Sequence, residues 1–337
     1  MNSRLKDLIP DGYIIALVGM VVLASVLPVR GEVARVFELT TDGLIALLFF
    51  LHGAKLSRQA IVQGMSHWRL HLLVLASTYL LFPALGFGAR AVAGPFLDPS
   101  LAAGLLFLCL LPSTVQSSIA FTAVGRGNVA AAVCAASASN LLGIFITPAL
   151  VHVMMPEATG QAAAGGGFEQ IRAIMLQLMA PFILGHLSRP LTANWLGKNK
   201  TLVGLVDRGS ILFAVFTTFS AAVVAGLWSR LSAGDLFFVL AISLAILAVA
   251  LIVTTAAARL LGFRREDEVA IVFCGSKKSL ASGVPMANVL FPAAAVGPMI
   301  VPLMFFHQIQ LMACAVLARR YARKAEAEEE AAAGMDL

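Results

Sequence analysis

Long apolar runs alternate with short polar connections along the whole chain. A bilayer core takes roughly 20 apolar residues per helix. On that ruler the pattern predicts ten spans, at about 12–29, 40–56, 68–93, 99–125, 127–153, 169–190, 203–229, 234–262, 266–291 and 294–320. A backbone in lipid must satisfy its own hydrogen bonds, so each span is expected to be helical. The period-two alternation of an outer-membrane barrel is absent. The reading is an all-α polytopic membrane protein.

Spans four and nine carry polar interruptions. Span four reads "LLFLCLLPSTVQSSIAF", where Pro112 lacks a backbone donor and clashes with the turn before it. Ser113, Thr114, Gln116, Ser117 and Ser118 follow at once. Span nine reads "VAIVFCGSKKSLASGVPMANVLF". Gly275 and Ser276 are expected to loosen the helix before Lys277, Lys278 and Ser279, and Gly283 and Pro285 to loosen it again. Proline, glycine and serine are tolerated singly in membrane helices. Matching interruptions, one with two charges, point instead to a transporter's binding site.

Composition strengthens this picture. Of 337 residues, 59% are hydrophobic and 12% charged, against about one half and one quarter in soluble domains. The solvent is therefore lipid. The four cysteines lie in apolar runs and read as packing residues, not as a disulfide framework or metal cluster. The net charge of +6 does not indicate a nucleic-acid partner, because the basic residues sit in connections rather than in one patch. A cleaved leader is not expected. The start "MNSRLKDLIPDG" is polar, and its apolar run reaches Val29 without a small-residue cleavage site.

Charge also sets an orientation. With a cytoplasmic N-terminus, seventeen of the 24 lysines and arginines fall on the cytoplasmic side and five on the other. The remaining two are Lys277 and Lys278. Both termini are thus expected in the cytoplasm of a bacterial inner membrane. The Gly/Ala-rich connection 155–170 divides the spans five and five. An odd number per half reverses the second half, which is the arithmetic of an inverted repeat. Repeat one covers about 12–153 and repeat two about 169–320. The tail 321–337 turns from basic to acidic and is expected to be solvated and then disordered.

A charge at the bilayer centre costs roughly 2.5–3.5 kcal/mol on insertion scales. On a continuous helix adjacent lysines would point about 100° apart. A break is expected to free one toward a cavity while the other snorkels or pairs. Carboxylate partners are scarce: Asp42 heads span two, Asp207 span seven and Glu169 span six. Spans three, four, five, nine and ten are expected to hold none. A facing carboxylate pair, as an intramembrane protease needs, is missing, as is any nucleophile–base pair. No enzyme and no cofactor is expected. Of the histidines near spans, His307, followed by Gln308, stands out because span ten should pack beside span nine.

"LLPSTVQSSIAFTAVGRGNVAAAVCAASASNLLGIFITPAL" (110–150) and "CGSKKSLASGVPMANVLF" (274–291) resemble spans four, five and nine of the bile acid:sodium symporter superfamily. "FFLHGAKLSRQAI" (49–61), "HWRLHLLVLASTYLLFPAL" (67–85) and "KKSLASGVPM" (277–286) are similar to its SBF-like branch, related to solute carrier family 10 member 7. The resemblance implies two inverted five-helix repeats. It implies a core of spans three, four, five, eight, nine and ten, and a panel of one, two, six and seven. Broken spans four and nine would cross, with substrate beside the crossing.

In the bile acid branch, sodium is held by serine, asparagine and threonine on spans four and five, and by glutamate and glutamine on span nine. Here Ser117 and Ser118 take the span-four pair. The span-five hydroxyls fall on Ala132 and Ala136, with Ser137, Ser139 and Asn140 close by. The span-nine glutamate is missing, and the glutamine–asparagine pair aligns with Lys277–Lys278. The expectation is that Lys278 substitutes for sodium. Coupling is then to protons or absent, and an organic anion is the expected substrate. The rival reading is a membrane regulator of ion (calcium) homeostasis that does not itself transport. No segment specifies an oligomeric state.

Overall fold

A computed structural model describes residues 12–55, 67–158 and 168–333. The polar start, residues 56–61 of one family-like motif, most of the Gly/Ala-rich connection and the last four residues of the tail lie outside the described residues.

Each of the ten apolar segments is helical. The first three are α1 (Gly12–Val26), α2 (Gly31–Lys55) and a pair, α3 (Trp68–Ala76) and α4 (Phe82–Ala93), joined by a π-helical turn at Ser77–Leu81. The fourth is split into α5 (Pro99–Leu110) and α6 (Gln116–Val124), and the fifth is α7 (Val129–Met154). Then come α8 (Phe168–Lys198), α9 (Lys200–Val224), a single turn α10 (Leu227–Arg230) and α11 (Ala233–Leu260). The ninth is split into α12 (Arg265–Gly275) and α13 (Leu280–Leu290), and α14 (Ala293–Ala333) is last. Among the described residues, five helices are long and apolar enough to cross a membrane. They run over Trp68–Phe96, Val129–Met154, Lys200–Val224, Ala233–Leu260 and Ala293–Glu328. The outer surface is apolar, with Leu191, Leu260 and Val153 among many large exposed side chains.

Three boundaries differ from the hydropathy reading. The second segment begins at Gly31 rather than near 40, because about two and a half turns of mixed polar and apolar residues continue the helix ahead of the apolar run. The sixth runs on to Lys198. The tail continues α14 to Ala333, with Tyr321 and Ala325 buried. Glu326 pairs with Arg126 and Glu328 with Arg265, so the first part of the tail is docked rather than free.

The core centres on α5, where every residue from Leu105 to Leu110 is buried. A helix buried on all faces lies in the middle of its bundle. It packs on α4 and α14, and α14 in turn on α11 and α13. On the other side α2 packs along α8, and α9 lies against α1 and α2. The α2–α8 approach is close: a Cβ on Gly53 would strike the Phe182 carbonyl, and one on Gly185 the Phe50 carbonyl. Helix α9 also touches α14 and α13, so it forms the seam between the groups.

Candidate functional site

The first interruption follows from one residue. Pro112 pushes the residue before it out of the helical region. Leu111 is accordingly extended (φ −76°, ψ 157°), and α5 stops at Leu110. The second has no proline at its start. Helix α12 ends at Gly275, and α13 restarts with Ser279 as N-cap, its Oγ accepting from the Ser282 amide at 3.1 Å. Gly283 and Pro285, expected to loosen the chain again, lie inside a continuous α13. Gly283 instead makes room, since a Cβ there would meet the Leu111 and Leu303 side chains at 2.5 and 2.6 Å.

A helix end leaves carbonyls without intrahelical partners. In a buried, dry place each must find another donor. Here the two interruptions supply donors to each other. Ser113 Oγ donates to the Cys274 carbonyl (2.5 Å) and Ser118 Oγ to that of Phe273 (2.8 Å). In return the Ser279 amide donates to the Pro112 carbonyl (2.9 Å). Helix α7 provides the rest. Thr147 Oγ1 donates to Leu110 O (2.8 Å) and Asn140 Nδ2 to Ser113 O (2.6 Å), while Ser139 Oγ accepts from the Ser113 amide (3.1 Å). Asn140 Oδ1 also accepts from Ser282 Oγ (2.7 Å), so one asparagine bridges both breaks.

Lys278 completes the accounting. Its Nζ donates to the carbonyls of Leu111 (2.6 Å), Cys109 (2.9 Å) and Thr78 (2.9 Å), and lies 4.2 Å from the Phe82 ring centre. Two acceptors are the orphaned end of α5, where a cation also meets the negative end of the helix dipole. The third is freed by the π-helical turn. The Phe82 amide bonds Ser77 O instead of Thr78 O. The next residue, Pro83, has no N–H to offer.

Lys277 lies quite differently. Its side chain is also fully buried, but Nζ has no hydrogen-bond partner among the described residues. It sits 4.2 Å from the Phe121 ring centre and 5.4 Å from that of Phe273. Neither lysine snorkels: both are buried, and Lys278 takes the other course expected of one of them, pairing with backbone carbonyls. Each is enclosed by helices from both halves of the chain.

The other expected residues divide. Thr114 Oγ1 is within hydrogen-bonding distance of Ser117 Oγ (2.8 Å) and Ser118 Oγ (2.9 Å), which ties the start of α6 together. Ser276 Oγ donates back to Val272 O (2.6 Å) and Ser279 Oγ to Ser282 Oγ (3.1 Å). Gln116 opens α6 and is exposed, and Ser137 is half-buried outside the network. His307 joins indirectly, through Gln310. Gln308 does not join: its Oε1 is buried without a partner among the described residues. Ala132 and Ala136, where the family resemblance puts sodium-binding hydroxyls, fill an apolar contact with Leu70, Val74 and Cys274.

Sequence reading missed two participants. Fully buried Gln310 accepts from the Lys278 amide through Oε1 and donates to the Lys278 carbonyl through Nε2, both at 2.9 Å. Its second N–H faces His307 Nδ1 at 2.9 Å, which must accept because an amide nitrogen cannot. The available signal was the glutamine three residues past His307, on the same helix face. The other is Glu268. The ninth segment does hold carboxylates, at its first turn, and Glu268 is buried there between Arg259 (Nη2 2.9 Å) and the Tyr321 hydroxyl (2.8 Å).

Two cavities lie away from this network. One of about 680 Å³ opens outward between α11 and α14, past Arg259 and Arg320. A smaller one of about 180 Å³ lies at the α5–α9 seam, with Asp98 and Arg230 on its wall.

A membrane protein that is helical throughout its described elements, and whose two interrupted helices meet and complete each other, has a feature of transporter binding sites. Residues 11–323 match the SBF-like CPA transporter family, and the chain belongs to that family. It is a transporter-family protein and not an enzyme. An uncharacterized protein of Pseudomonas aeruginosa is 54% identical over 327 residues, covering 97% of this chain and 96% of that one. YfeH of Escherichia coli, which carries a symporter name, is 53% identical over 326 residues, covering 96% and 97%. Sodium/bile acid cotransporter 7-B of Xenopus laevis is 26% identical over 323 residues, covering 93% and 92%.

Proposed function

We infer that this chain is a secondary active transporter that moves a small or amphipathic organic anion by alternating access. Its ten spans form two inverted five-helix repeats in a bacterial inner membrane, with both termini in the cytoplasm. Spans three, four, five, eight, nine and ten form a core that moves against a panel of one, two, six and seven.

The observation that carries the reading is the Lys278 ammonium, held by three carbonyls where the interruptions meet. A sodium ion at such a place would be held by oxygens. An ammonium engages oxygens in the same way but cannot leave. Sodium is therefore not the coupling ion, and a proton is the remaining candidate.

The case for an anion rests on the helix ends. Lys278 is balanced by the carbonyls around it and offers little free charge. The positive ends of α6 and α13 point to the same middle zone, where Gln116 and Ala281 are exposed. Ser117, Ser137 and Asn140 add half-buried polar groups on α6 and α7.

Uptake of a library of organic anions into proteoliposomes, under sodium and under proton gradients, tests the reading. Flux driven by a proton gradient, or by neither, is expected. Flux driven only by sodium contradicts the coupling. No flux under any gradient favours the regulator of ion homeostasis.

A further inference from the structure

The two lysines have opposite surroundings, and this separates their roles. A protonated lysine has three N–H donors and no acceptor. Lys278 spends all three, on three carbonyls. A neutral amine would have two donors and a lone pair, so one carbonyl would lose its donor and face that lone pair. Every contact around Lys278 Nζ therefore favours the charged form. A fixed cation is consistent with a structural part.

Lys277 has no such commitment. Its Nζ meets no acceptor among the described residues and rests against Phe121 of α6 and Phe273 of its own helix. The titratable groups that act on it are thiols, Cys314 of α14 and Cys274 of α12. Glu268, near the start of α12, is already engaged by Arg259 and Tyr321. Elements α3 and α7, which also pack on α12, bring apolar side chains to that contact, Leu70, Val74, Ala132 and Ala136. No fixed anion holds the proton on Lys277, and losing it breaks no hydrogen bond. The aromatic faces attract the ammonium, by about 2 kcal/mol or more when desolvated, but accept no hydrogen bond from it.

We propose that Lys277 is the proton-exchanging group of this protein, and that Lys278 stays charged throughout the cycle. The step is a simple proton transfer: the Lys277 ammonium gives H⁺ to water admitted beside α6 and α12, and the neutral amine regains it when the site faces the other side. Lys278 then keeps the two interruptions joined while the charge beside them changes. The inference takes its purpose from the transporter reading, but its test does not depend on a substrate.

The full chain is labelled with ¹⁵N at lysine Nζ in lipid nanodiscs, with its five other lysines changed to arginine so that two signals remain. The signals are followed from about pH 5 to pH 10 by the Nζ shift, which reports protonation directly. One signal is expected to pass from the charged to the neutral position while the other stays charged. The titrating signal is expected to disappear in Lys277→Met, whose side chain suits the same apolar walls. Titration of both signals, of neither, or of one that survives Lys277→Met overturns the proposal. Should no transport be found while Lys277 titrates as described, the transporter reading fails and this one stands.

Discussion

The side-chain amide of Gln310 holds both backbone groups of Lys278, with the N–H and the C=O each 2.9 Å from it. An unwound backbone inside a membrane protein needs such partners, because no water or lipid replaces them. A single residue of α14 thus fixes the conformation that aims Lys278 at α5. Gln310→Leu is expected to lower stability by about 2–6 kcal/mol, from two backbone groups left without partners at about 1–3 kcal/mol each. Gln310→Glu, which keeps the acceptor, is expected to lose less. Chemical unfolding in detergent measures both.

The lysines are expected to respond with opposite signs. Lys278→Met strands three carbonyls and breaks a buried charge–dipole cluster, at a cost of about 3–5 kcal/mol. Lys277→Met removes a buried charge with no hydrogen bond, which is neutral or stabilising by about 1–2 kcal/mol. A shared sign in thermal unfolding would contradict the division of roles drawn from their contacts.

Asn140 is expected to matter more than Ser113 or Ser118, whose hydroxyls each reach one carbonyl. Ser113→Ala and Ser118→Ala each remove one donor to a freed carbonyl of α12, at about 1 kcal/mol. Asn140→Ala unties Ser113 O and Ser282 Oγ together. A double-mutant cycle of Asn140→Ala with Ser282→Ala is expected to give a coupling of about 0.5–1.5 kcal/mol. Additivity would mean that the bridge carries no energy.

Sodium is expected to leave the melting temperature unchanged relative to potassium at equal ionic strength. Strong stabilisation by sodium that persists in Lys278→Ala would show a sodium site independent of this lysine.

Much of the site was legible in the chain, but unevenly. Pro112 announces its break because a missing N–H and a ring clash are properties of one residue. The adjacent lysines stand out because charge is costly anywhere in an apolar run. The third carbonyl for Lys278 was harder to see. It depends on Pro83, whose missing N–H reads locally as a harmless kink, and on a π-helical turn that only packing reveals. Gln310 was passed over for Gln308 because hydropathy does not say which face of α14 meets α12. Gly283 and Pro285 misled in the other direction: they look like breakers, yet Gly283 is needed for close packing against Leu111.

The sequence by itself determined the helical segments, the lipid surroundings, the two interruptions and the family resemblance. Each follows from composition or from chemistry within a few neighbouring residues. The tertiary structure decided which donor meets which freed carbonyl, which lysine is tethered, and that Gln310 and Asn140 hold the breaks together. Those bonds close over long separations, 167 to 200 residues for two of the Lys278 contacts. Burial forces every polar group to find a partner, but only the packing of distant helices selects which one.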